Sequence, residues 1–128
     1  SNQNQIKILN KKFMSLQTLV KLVHCSDKYK QFHNCIITNL HSNTASKFDE
    51  KSGKFITVDK NKLLNDIIEY RKMDIEEFYD NNMDELDNKT KNYLEKFFSS
   101  MEKNKEYYDK YKKDIKLMLY NEKESLIN

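Results

Sequence analysis

From Leu94 onward the side chains Leu94, Phe97, Met101, Tyr108, Tyr111, Ile115 and Met118 recur in alternating steps of 3 and 4, with Asn104 filling the one polar place in the series. Two turns of α-helix take about 7 residues, so this alternation keeps one face apolar over more than three repeats. The pattern predicts a long C-terminal helix, either one rod or two collinear pieces. Phe98 and Leu119 add a second apolar edge. Tyr is an unusual seam residue for a two-stranded coiled coil, so the seam is expected first to pack within its own bundle. A homodimer through the 94–118 helix is the alternative.

A second stripe opens the chain: Ile6, Leu9, Phe13, Leu16, Val20 and Val23 step 3, 4, 3, 4, 3. Leu19 and Leu22 widen it, and one amphipathic, well-buried helix is expected. The phase fails at Ser26 and Asp27, both N-cap residues, which predicts a turn and a second helix from about Lys28 to Leu40. Tyr29, Phe32, Ile36 and Leu40 form its stripe. "HSNTAS" at 41–46 reads as a loop. In 47–58, Phe48 and Phe55 flank Glu50-Lys51-Ser52-Gly53, which reads as a short β-hairpin or a looped turn leaning on the helices. Asp59 is a suitable N-cap for a helix from Lys60 to Lys72. Asp74 and Glu77 suggest a helical restart, and Asn81-Asn82 a break. The fold class is therefore all-α and mostly helical: a bundle of five or six helices with a long C-terminal helix and a hairpin insert.

One domain is expected over 1–128, since 128 residues suffice for a real core. The chain opens Ser-Asn rather than Met, which suggests a domain cut from a longer chain. Pro and Trp are absent, and Gly53 is the single Gly. Lys, Asn, Ile and Tyr fill the space, as codon bias in an AT-rich viral or parasite genome would produce. No run of about 18 apolar residues occurs, so no membrane partner is expected. Polar residues interrupt any signal-peptide core near the start.

Charge is unevenly spread. Ser1 to Lys62 carries 11 Lys against 4 acidic residues, while Leu63 to Asp87 carries 9 acidic residues against Arg71 and Lys72. The two halves could complement each other, or the basic half could contact nucleic acid.

All three His and both Cys fall within His24 to His41. On a helix, Cys25, His33 and Cys35 would be separated by 8 and 2 residues, spacings that do not bring side chains together. They are weak zinc ligands for that reason, and a Cys25–Cys35 disulfide is disfavoured. Two thiols suit an intracellular, reducing compartment such as the cytoplasm. Cys25 before a helix N-terminus could favour a thiolate, but it lacks a base within reach on the helical reading. Asp80, Asn82 and Asp84 imitate a calcium loop, yet Glu85 and Lys91 stand where Gly and a bidentate Glu are required. In helical register Glu77, Asp80, Asp84 and Asp87 form a carboxylate row suited to a basic partner segment. Tyr107 lies off the apolar seam amid "EYYDKYKKDIK" and is the one Tyr there left over for contact with a partner. A single Gly leaves no room for a Gly-rich phosphate loop.

These features favour a non-enzymatic protein–protein interaction or assembly module that needs no cofactor. A nucleic-acid-associated accessory domain is the alternative. A zinc- or thiol-dependent domain built on His24–His41 is a third.

Overall fold

The computed structural model describes residues 1–25 and 35–122. Among these the chain is mostly α-helical, with five α-helices and a three-stranded antiparallel sheet. The helices are α1 (Asn2–Leu9), α2 (Ser15–Cys25), α3 (Lys60–Asn82), α4 (Asn88–Lys103) and α5 (Lys105–Asn121). The strands are β1 (Cys35–Ile36), β2 (Thr44–Asp49) and β3 (Lys54–Asp59), in spatial order β1-β2-β3.

The expected hairpin forms. Phe48 pairs with Phe55 across β2 and β3, and their rings meet edge to face with centroids 5.5 Å apart. Gly53 takes φ +69 at the turn, and its N–H donates to the Asp49 carbonyl at 2.8 Å. That left-handed backbone is what Gly supplies without a steric cost. Asp59 caps α3 by accepting from the Asn61 N–H at 3.1 Å. No restart occurs at Asp74; its carboxylate instead pairs with Arg71 at 3.0 Å inside one 23-residue helix. That helix stops at Asn82, and a 3-10 turn (Met83–Glu85) leads to Asp87, the cap of α4.

Both apolar seams are interrupted. The opening stripe is not one helix: α1 ends at Leu9, and a 3-10 turn (Lys12–Met14) carries the chain into α2. Lys12 adopts φ 54, a left-handed conformation that side-chain-bearing residues rarely take. The long C-terminal helix is also not continuous. Asn104 is extended; its N–H closes α4 on the Ser100 carbonyl, and its side chain accepts from the Tyr107 N–H to open α5. Among the described residues the longest helix is α3. After Asn104 the buried stripe becomes Tyr111, Ile115 and Leu119, while Tyr108 and Met118 are half-buried.

The helix expected at 28–40 is corrected over its described part. Cys35 and Ile36 pair as β1 with Lys47 and Ser46 of β2. Two consecutive β-branched residues, Ile36 and Ile37, favour extended backbone, and both are buried. Residues 26–34 lie outside the described part.

Among the described residues the core has two clusters. The larger one joins α2, β1, β2 and the first half of α3 to α4 and α5, through Leu16, Val20, Ile37, Leu64, Ile68, Phe97 and Ile115 among others. The smaller joins α1, α2, the second half of α3 and α4 through Leu9, Leu19, Ile75, Tyr79 and Leu94.

Candidate interaction surface

The thiol segment gathers more than the helical spacing allowed. With Cys35 on a strand, both Cys25 and Cys35 are buried in the same cluster. They are not joined to each other, and each lies within electrostatic reach of the other. His24 and Cys35 line a small cavity of about 190 Å³ with Lys47, Asp66 and Arg71. Burial pushes the Cys35 thiol up to about 11, against a lowering by Lys47. Burial also pushes Cys25 up to about 11, helped by Glu122. A nucleophile or metal ligand must be a thiolate, so this environment holds both side chains in the unreactive form near neutral pH. Among the described residues no three His, Cys, Asp or Glu side chains assemble around one point for a metal ion. His33, the remaining ligand candidate, lies outside them. His41 is exposed on the loop before β2, lining a different cavity from His24.

The carboxylate row does not share one helix. Glu77 and Asp80 are exposed on α3, Asp84 is exposed on the 3-10 turn, and Asp87 begins α4. Asp87 is engaged in capping: it accepts from the Thr90 N–H at 2.7 Å, which holds its carboxyl below the usual range. The acidic segment also makes ion pairs inside α3, Lys62 with Asp66 at 3.2 Å and Lys72 with Glu69 at 3.2 Å. Tyr107 is not an outward-facing side chain. It is half-buried against the larger cluster, with its ring 5.2 Å from Tyr111 and 6.5 Å from Phe97.

The hairpin carries two adjacent exposed apolar residues, Phe55 and Ile56. Adjacent residues of a strand point to opposite faces. Ala45 and Val58 face the core, and Ile56 shares their face nearer the turn, where the core has ended; it is 43% exposed. Phe55 lies on the outer face with Phe48 and is 47% exposed. Of the six residues of β3, Val58 alone is even half-buried. β3 is also the outer strand of the sheet, so the backbone on its far side has no strand against it among the described residues. An edge of this kind is a template for another extended chain. The sequence holds a signal for it: Phe55-Ile56 is an apolar pair, which breaks the alternation a one-sided hairpin would show.

No helix among the described residues is long and apolar enough to cross a membrane. Compared with known proteins, the chain matches no family model, and neither a curated protein nor a solved structure is similar to it.

Proposed function

We propose that the protein is a non-enzymatic interaction module that captures an extended segment of a partner protein along β3. The observation that carries this reading is the edge position of β3 together with exposure of Phe55 and Ile56 on its two faces. Backbone pairing along an open edge supplies affinity, and pockets beside alternate side chains supply selectivity. A partner strand with one large apolar residue facing Phe55 and another facing Ile56 matches this surface. The 94–118 region is a weaker docking surface, because Leu94, Phe97, Met101, Tyr111 and Ile115 are buried in the protein's own core. The elevated thiols support the non-enzymatic part of the reading, since they disfavour Cys-based catalysis.

Selection from a random peptide library, followed by amide chemical-shift mapping, tests the proposal. Selected peptides are expected to shift amides of Lys54–Asp59 and to lose at least about tenfold in affinity against Phe55→Ser or Ile56→Ser. Peptides that bind with unchanged affinity to both variants, or that shift only other regions, would overturn it.

A further inference from the structure

Where β3 runs into α3 lies a cleft of about 420 Å³, lined by the 40–43 loop, the start of α3 and one face of α5. Lys60, Lys112, Lys113 and Lys116 all contribute to its wall. Two acidic residues, Asp59 and Asp109, line it as well, so cations outnumber anions. The Asp59 carboxylate is already engaged in capping α3, and the Lys112 ammonium donates to the Asn61 side chain at the same corner.

Lys60 is the unusual member. It is the first residue of α3 and is only 5% exposed. Its backbone N–H donates to the Asn43 carbonyl at 2.9 Å, and its ammonium donates to the Asn39 carbonyl at 2.5 Å. An ammonium has three donors, and among the described residues one neutral carbonyl answers one of them. Burying a cation is costly unless an opposite charge accompanies it. Burial lowers the Lys60 pKa, and a second cation, Lys116, adds to the lowering. On α5, Lys112 and Lys116 stand four apart and Lys113 and Lys116 three apart, both spacings at which like charges repel. A chain selected for stability alone would not place four lysines around one concavity and bury one of them. An anion seated between them removes each of these costs at once.

We propose that this cleft binds a phosphate-bearing anion of two or more charges, held by Lys60, Lys112, Lys113 and Lys116. The cavity falls within the range of small-ligand sites, roughly 300–1,000 Å³, and is concave, unlike a surface tracking a duplex. The ligand is thus one or two phosphoryl groups, from a free polyphosphate or nucleotide or from the end of a nucleic-acid strand. The site meets the β3 edge only at Asp59, the last residue of that strand.

Titration calorimetry on the full chain at about 50 mM salt tests the site with three probes: pyrophosphate, a 5′-phosphorylated oligonucleotide and its 5′-hydroxyl twin. Pyrophosphate is expected to bind, more tightly as salt falls. Lys60→Met and Lys116→Met are each expected to weaken it by about tenfold or more. Lys96→Met, exposed on α4, is expected to leave it unchanged. Preference for the phosphorylated oligonucleotide over its twin, lost in the same two variants, assigns the site to strand ends; pyrophosphate binding with no such preference assigns it to free phosphates. No binding by pyrophosphate or the phosphorylated oligonucleotide overturns the proposal. Equal binding by wild type and both folded variants, verified by circular dichroism, overturns it too. Lys116→Met stands at a half-buried position, so it reports even if replacing Lys60 impairs folding.

Discussion

The chain breaks an apolar seam at Lys12 and again at Asn104, and the two breaks are built from opposite materials. Asn104 makes its break locally. One residue closes α4 with its N–H and opens α5 with its side chain, so backbone groups at two helix ends are satisfied within a few residues. The Lys12 break has no single residue that serves both helix ends. Its left-handed backbone costs roughly 1–2 kcal/mol for a residue with a side chain, so contacts from nearby Ser15 and from distant elements must hold it. Those contacts are specific. The buried Ser15 hydroxyl lies 2.8 Å from the Ile8 carbonyl and 3.3 Å from that of Leu9. The Tyr111 hydroxyl donates to the Phe13 carbonyl. The Phe13 ring meets Tyr93 edge to face at 4.8 Å, and the Lys12 ammonium lies 5.6 Å from the Tyr93 centroid. A corner can thus be written into one residue or lent by the rest of the fold.

Substitutions should separate these two kinds of corner. The largest effect is expected at Phe97, fully buried and in ring contact with Tyr107 and Tyr111 across the Asn104 break. Phe97→Ala should lower unfolding free energy by about 4 kcal/mol in urea titration, and it loosens both corners because Tyr111 also holds Phe13. Ser15→Ala should cost about 2 kcal/mol in the same assay, by taking the buried hydroxyl from the Ile8 and Leu9 carbonyls, of which Ile8 keeps the Lys11 N–H. Asn104→Ala should cost about 1 kcal/mol, the ordinary value of one lost cap. A cost at Asn104 exceeding that at Ser15 would reverse the comparison. Lys12→Gly should have the smallest effect, a gain below about 1 kcal/mol, because relief of the left-handed backbone outweighs the lost contact with Tyr93. A clear loss of stability there would show that the Lys12 side chain, not the corner's backbone, sets the balance.

The same contrast explains what could be read in advance. The hairpin was legible because Phe48, Gly53 and Phe55 act on each other within a few residues. The start of α3 was legible because Asp59 caps it directly. Asn104 was visible as the one polar member of its seam, although a polar residue in a heptad more often specifies register than ends a helix. The turn at Lys12 could not be read, because its ring contact and its Tyr111 hydrogen bond come from α4 and α5, about 80 to 100 residues later in the chain. β1 was missed for a related reason. Ile36 and Leu40 fit a helical stripe, and the partner that decides otherwise, Ser46 on β2, is set by tertiary pairing. The lysine cleft was hidden in the same way. In sequence Lys112, Lys113 and Lys116 alternate with Asp109 and Asp114, and only the packing of the 40–43 loop over α3 buries Lys60 among them.

The long central helix has a consequence for how the molecule comes apart. At about 1.5 Å per residue α3 runs some 34 Å, and it contributes Leu64 and Ile68 to one cluster and Ile75 and Tyr79 to the other. Neither cluster can keep its share of buried surface once that rod has melted, and a helix loses its propagation advantage when either half is left unsupported. The two clusters are therefore one cooperative unit. A weakness introduced at Leu9, at one end of the protein, is felt as readily by the lysine cleft at the other.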